Sequence, residues 1–456
     1  MNFIKKFSII ILCLLIFLFI SFVFILYNVK NNTDFYFKYK KYIPQSFKKE
    51  IRTSLTKINA LYIYKTSEFK FKQVKDIKIS SFKNNKMQVF SDPKLIWTGP
   101  RAYFASNDKH LFLITGTGIL MHTPISNIKN NVKNISFKKI KNNFETIFKN
   151  YRGKTDFYTY TSMIKSIIYK DKNLYVSAVQ KINEKCFTHI IYKGLLNYRN
   201  IEFEQFYKFD KCKPFYTDYL GGTIANYTNN KFLFTVGDWT VCEDPRWVDV
   251  NPKGFCTENG AQSLKTDLGK IFELNLQTKD LKIISIGHDN PQGIIYDKKN
   301  NIIFSTEHGP QGGDEININR NPTKEFKNFG YPISSYGEHY GHPSPDVEYL
   351  YKEAPLHKSH KDHGFIEPID YFVPSIGISD IEKYKNKLLV ASMGAEIEQG
   401  DLSLYIYDLD ENQNIKKKEL NKIYQRIRDI HFVNGYAVLF LESTGSIGIF
   451  QLKNLD

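Results

Sequence analysis

Between Gly287 and Pro332 the chain reads GHDNPQGIIYDKKNNIIFSTEHGPQGGDEININRNPTKEFKNFGYP, a short stretch dense in amides, carboxylates, glycines and prolines. Gly309 and Pro310 follow the apolar run IIFST, so they fall on a strand-to-loop turn. Main-chain carbonyls freed there from a sheet ladder can point at a hard cation, and calcium takes oxygen ligands of this kind. Asp314 and Glu315 follow closely enough to stiffen that loop or balance its charge. Far downstream, Arg426 and Arg428 stand two apart on an expected strand edge, and guanidinium forks suit planar carboxylates. Taken singly, these glycines could serve only a tight turn and the arginines only a surface ion-pair cluster.

Four motifs in order change that balance: NPQG at Asn290–Gly293, EHGP at Glu307–Pro310, DEIN at Asp314–Asn317 and NFGYP at Asn328–Pro332. With them the sequence resembles the glucose/sorbosone dehydrogenase family, quinoproteins that oxidise aldose sugars with pyrroloquinoline quinone (PQQ) and calcium on a six-bladed β-propeller. Weaker similarity runs through LGGT, TVGD, VPSI and QRIRD, so the resemblance covers the chain from near Leu95 to its C-terminus. It implies that the Gly309 and Pro310 carbonyls hold calcium, with Asp314 and Glu315 in support. It also implies that Arg426 and Arg428 grip the cofactor's carboxylates and that Asn290 and Gln292 line the same pocket.

The sequence departs from the family's pattern at the acid/base machinery. Tyr219 stands where the family has its His base and Thr223 where it has an Arg. A tyrosine with an ordinary pKa near 10 stays protonated at neutral pH and makes a poor base; Asp218 is the alternative. Asp289 replaces the Arg before NPQG, and Gly394 falls where a cofactor-binding lysine is expected. His288 and His308 lie near the motif, but family members often carry His at both places, so neither substitutes for the base. The resemblance therefore implies either a sugar dehydrogenase with a diverged site, its electron acceptor unspecified, or a catalytically inactive propeller that binds carbohydrate or protein.

The elements that must position these residues read as all-β. One pattern recurs: an apolar segment, a polar turn rich in Asn, Asp and Lys, then a strongly apolar strand ending near a small residue. Its six occurrences are Arg101–Gly118, Ile167–Gln180, Gly222–Asp238, Gly293–Gly309, Ile378–Gly394 and Ile427–Glu442. Six irregular repeats predict six blades, with the excess length in loops that build a site on one face. Residues 91–456 are assigned to the propeller and 30–90 to a basic linker with a possible ring-closing strand.

Residues 1–29 read as an N-terminal transmembrane anchor, because Phe7–Tyr27 is apolar apart from Ser8, Cys13 and Ser21. No small-x-small cleavage site follows, which argues against a removed signal peptide. Lysines flank the helix on both sides, and a positive-inside count would leave the large domain in the cytoplasm. The cysteines point the other way. Outside the helix there are four, Cys186, Cys212, Cys242 and Cys256, with no CxxC spacing to suggest zinc, and two disulfides in an oxidising compartment such as the periplasm would account for them. Of the three pairings possible, Cys186 with Cys212 and Cys242 with Cys256 is expected. The net charge of +16 comes from Lys scattered along the whole chain, without a nucleic-acid-binding motif, so no nucleic-acid partner is expected.

Overall fold

The computed structural model describes residues 2–31, 65–80, 86–96, 101–148, 163–183, 186–213, 220–239, 242, 253–258, 260–342 and 344–455. Five four-stranded blades follow one another along the chain. They comprise Ala102–Ser106 to Asn134–Asn142, Ile164–Lys170 to Glu204–Lys208, Gly221–Asn226 to Leu281–Ile286, Asn290–Asp297 to Asp370–Phe372, and Ile378–Tyr384 to Ile415–Lys422. The sixth takes Ile427–Val433, Tyr436–Leu441 and Ser446–Gln451 from the C-terminal end and its outer strand, Lys86–Ser91, from before the first blade. The first strand of each blade packs against the first strand of the next, and the sixth against the first, so the ring is closed. Strand Glu68–Lys78 pairs with both Lys86–Ser91 and Asn134–Asn142, joining the outer edges of the sixth and first blades.

The predicted hairpins are the inner two strands of each blade. Second strands such as His110–Thr115, Lys231–Val236 and Tyr436–Leu441 are buried on both faces, because each blade is sandwiched between two others. They therefore read as continuous apolar runs, as parallel-sheet strands do for the same reason. An outer strand such as Ile415–Lys422 meets solvent and reads as mostly polar.

Hydroxyl groups on second strands stitch consecutive blades together. Ser177 Oγ donates to the Gly222 carbonyl, Thr235 Oγ1 to the Pro291 carbonyl at 3.0 Å, and Thr306 Oγ1 to the Ser379 carbonyl at 2.8 Å. Carboxylates do the same around the closure: Asp380 accepts the Ile430 amide at 2.7 Å and Asp429 the Phe104 amide at 2.8 Å. Each bond fixes where one inner strand begins relative to its neighbour, and those beginnings frame the site.

Both disulfides are present with the expected pairing, Cys186–Cys212 and Cys242–Cys256. The N-terminal helix runs Asn2–Asn31. Its described side chains are those of residues 11–24 and Tyr27, nearly all exposed. Among the described residues no helix is long and apolar enough to cross a membrane.

Candidate functional site

A cavity of about 370 Å³ opens where the inner strands begin. Arg101 immediately precedes the first blade's inner strand, Asn290 and Gln292 open the fourth's, Gly377 precedes the fifth's, and Arg426 and Arg428 flank the start of the sixth's. From the far ends of second strands come His308 and Gly309 in the fourth blade and Met393 and Gly394 in the fifth. The long fourth-blade connection between Asp314–Arg320 and Asp370–Phe372 adds Tyr340. Of the residues expected from sequence, Asn290, Gln292, Gly309, Asp314, Arg426 and Arg428 thus converge on one cavity.

The two arginines share one counter-ion that the sequence did not reveal. Glu442, 6% exposed at the end of the sixth blade's second strand, accepts Arg428 Nε at 2.5 Å and Arg426 Nε at 3.2 Å. Burial raises the Glu442 pKa, but Arg428, Arg426 and Arg101 outweigh it and bring the carboxyl down to about 2. Arg426 also donates to the Met393 carbonyl. Burial, and after the opposing pull of Glu442 the repulsion of Arg428 and Arg101, hold the Arg426 pKa below its ordinary value.

Asn290 and Gln292 are pre-oriented. Asn290 Oδ1 accepts the Gly221 amide at 3.0 Å and Gln292 Nε2 at 2.7 Å, tying the third blade to the fourth. Thr223, at the place of the family's Arg, donates its hydroxyl to the Gln292 carbonyl.

The acidic motif divides its labour. Asp314 accepts main-chain amides with both oxygens: Gly309 on Oδ1 at 3.3 Å, Ile376 and Ile378 on Oδ2 at 3.0 and 2.8 Å. It is the clamp that holds the Gly309 turn against the fifth blade. Pro310 is buried beside Gly309 and does not line the cavity.

Glu315 faces the other side of the sheet, with Oε1 3.1 Å from His360 Nε2. Burial pushes its carboxyl up, and the same carboxylate raises the His360 pKa against the opposing effect of burial. Asn317 links it to Glu307, whose Oε2 lies 3.1 Å from His288 Nδ1. Glu307, Glu315, His288 and His360 therefore form a buried scaffold behind the cavity.

Two of the departures have structural reasons. A Cβ built on Gly394 would lie 1.9 Å from Asp401 Oδ2, so this position has no room for a side chain without moving Asp401. Asp289 is 2% exposed and does not line the cavity, its carbonyl accepting the Asp238 amide at 2.7 Å. Tyr219 and Asp218 lie outside the described residues.

Sequence reasoning missed Arg101, Tyr340 and Glu442. The signal for Arg101 was its place one residue before an inner strand, the same place that Arg426 holds in the sixth blade.

Comparison with known proteins gives this arrangement a family. Curated relatives include an uncharacterized protein of Synechocystis sp., 28% identical over 196 residues, 40% of this chain and 44% of that protein. Another is the aldose sugar dehydrogenase YliI of Escherichia coli, 31% identical over 125 residues, 26% of this chain and 30% of that protein. The matched regions thus span less than half of either relative. Among solved structures, a glucose dehydrogenase superposes with a TM-score of 0.56 at 18% identity, covering 77% of this chain and 95% of that one. The soluble aldose sugar dehydrogenase of Escherichia coli gives 0.55 at 17%, covering 76% and 95%. At these identities the likeness speaks for the fold alone. The family model described as Glucose / Sorbosone dehydrogenase matches residues 164–449, from the second blade's inner strand to the sixth blade, and the chain belongs to that family.

Proposed function

We propose that this chain is a membrane-anchored quinoprotein, a sugar dehydrogenase-like propeller facing out of the cytoplasm, which binds PQQ with calcium in the arginine-lined cavity and carries a diverged acid/base apparatus. The observation that supports it is the convergence of Arg101, Arg426 and Arg428 with the pre-oriented amides Asn290 and Gln292 at one mouth of the ring.

The residues present fit such a cofactor. A flat ring carrying three carboxylates matches a cavity with three guanidinium groups, and about 370 Å³ falls in the range of small-molecule sites, roughly 300–1,000 Å³. The resemblance assigns calcium to the main-chain oxygens of Gly309 and Pro310; of the two, Gly309 lines the cavity and Pro310 stands next to it, outside the lining.

When bound, the calcium-polarised quinone supplies a hydride acceptor. The chain's own part is to hold and orient. Arg426 and Arg428 would grip the carboxylates of such a cofactor and Asn290 and Gln292 would hydrogen-bond it, while Asp314 keeps the Gly309 turn in place. Oxidising an aldose hydroxyl removes a hydride from carbon and a proton from oxygen, and the proton falls to Tyr219 or to Asp218.

A second reading, a binding propeller without chemistry, draws support from Gly394, closed off by Asp401, and from Asp289, buried away from the cavity. Titration of the protein with PQQ and calcium, followed by dye reduction with a panel of aldoses, separates the two. Saturable binding with turnover supports the enzyme, binding without turnover supports the second reading, and no binding overturns the cofactor assignment.

The anchor is read from the apolar run Phe7–Tyr27 of the sequence, and the exposed apolar side chains between Ile11 and Phe24, which a bilayer would cover, support it. The two disulfides support an oxidising compartment. Resistance to carbonate extraction, together with protease accessibility of the propeller from the outer side, is the expected result. Release into the soluble fraction would refute the anchor.

A further inference from the structure

We infer that Arg101 is a third anchor for the ligand's anionic groups, and that it makes the cavity selective for a flat ring bearing several carboxylates over one bearing a single carboxylate. This rests on the reading of the cavity as a cofactor site.

Arg101 enters the cavity from the first blade, whereas Arg426 and Arg428 enter from the sixth. The two blades are locked side by side where their inner strands start, by the Asp429 side chain on the Phe104 amide at 2.8 Å. Arg101 is three residues before that lock and Arg428 one residue before it, so the separation of the two guanidinium bases is set by the closure of the ring. The first-blade backbone at Arg101 is itself fixed, its carbonyl accepting the Gly116 amide at 2.8 Å.

Charge supplies the second half of the argument. The cavity lining holds three guanidinium groups, Arg101, Arg426 and Arg428, and one carboxylate, Asp314, with Glu442 paired to Arg426 and Arg428 beside it. Asp314 is already engaged with three main-chain amides. Crowded cations of this kind are stabilised by a ligand that brings negative charge to more than one of them, and bidentate carboxylate contacts suit guanidinium geometry. A monocarboxylate can satisfy one side of the cavity; only a ligand with carboxylates at separate edges reaches both the first-blade and the sixth-blade arginines.

The test is equilibrium binding by titration calorimetry, with PQQ plus calcium, benzene-1,3,5-tricarboxylate and benzoate as probes, on wild type, Arg101→Gln, Arg101→Lys and Glu442→Gln. Losing one charge-assisted contact should weaken both polycarboxylates roughly ten- to a hundredfold in Arg101→Gln, leave Arg101→Lys between the two, and change benzoate by less than about threefold. Glu442→Gln, which removes the competing internal anion, should move affinity for the tricarboxylate the other way. Thermal unfolding of each variant establishes that it is folded.

Equal polycarboxylate affinity in wild type and Arg101→Gln overturns the inference while leaving the cofactor reading intact. Tricarboxylate binding that depends on Arg101, with no binding of PQQ, supports Arg101 as an anion anchor and overturns the cofactor reading. A wild type that binds neither polycarboxylate overturns both.

Discussion

Replacing Glu442 by Gln removes the internal carboxylate that Arg426 and Arg428 share, and the structure gives the size and the pH dependence of the loss. The folded carboxyl sits at about 2 against an ordinary value of 4.5, because the attraction of Arg428, Arg426 and Arg101 exceeds the cost of burial. At 1.36 kcal/mol per pH unit, that difference is worth about 3 kcal/mol at pH 7. It agrees with the roughly 3–5 kcal/mol lost when one partner of a buried ion pair is removed. A depressed carboxyl stabilises fully above its unfolded pKa and loses that contribution as pH falls through the folded value. The gap between wild type and Glu442→Gln should therefore be about 3 kcal/mol at pH 7 and shrink to about 1.5 kcal/mol at pH 3. For a ring of roughly 370 residues, this is about 4 °C in Tm at neutral pH. Urea denaturation at pH 7, 5 and 3 measures it. A gap that stays constant across these three pH values would show that Glu442 acts by packing or neutral hydrogen bonding, and the electrostatic account would fail.

Glu382 titrates in the opposite sense: burial first, and then Asp380, push its carboxyl up to about 8. It costs stability increasingly as pH rises from 4.5 toward 8, so Glu382→Gln should stabilise at pH 8 and change nothing at pH 4; a stabilisation equal at both would contradict the shift. Asp314→Ala strips the acceptor from three main-chain amides and should lower thermal stability both in calcium and in chelator; a loss seen only with calcium would instead make the carboxylate's role one of supporting the ion. The disulfides close segments of 26 and 14 residues, so replacing either pair with Ser should cost about 3 kcal/mol each by chain entropy, read as a fall in the urea midpoint. Non-reducing peptide mapping that finds any other pairing would refute that assignment.

The six hairpins were legible in sequence because their second strands, buried on both faces, are mostly apolar apart from hydroxyls that bond to the next blade, and so stand out as LFLIT, FLFTVG or VLFLE. The motif residues were legible for a different reason: Asn290, Gln292 and Gly309 occupy short linked patterns with fixed offsets. What the sequence hid depends on ring closure. Arg101 and Arg426 lie at opposite ends of the propeller sequence and become neighbours only when the sixth blade meets the first, so no local pattern links them. Glu442 reads as an ordinary polar residue after an apolar strand, and only the fold sets it between two arginines. Glu315, adjacent to Asp314, was expected to serve the same loop; strand alternation turns it to the opposite face, where His360 meets it. The lost lysine at Gly394 looked like a missing charge, whereas the structure shows a backbone position blocked by Asp401.

The sixth blade's outer strand has a consequence for synthesis. Lys86–Ser91 can pair with Ser446–Gln451 only after the last blade has left the ribosome. At about 5–20 residues per second, the intervening chain takes on the order of 20–70 s to emerge. During that interval Met87, Val89 and Phe90, all buried in the finished ring, have no partner strand on that side. The neighbouring strand Glu68–Lys78, EFKFKQVKDIK, pairs with them on the other edge and places a lysine at four of its positions outward of a few buried aromatics. That strand is paired on both sides, with Lys86–Ser91 and with Asn134–Asn142, so its lysines do not cover the waiting edge. Until the C-terminal blade closes the circle, the open side of Lys86–Ser91 is a template on which another chain can pair.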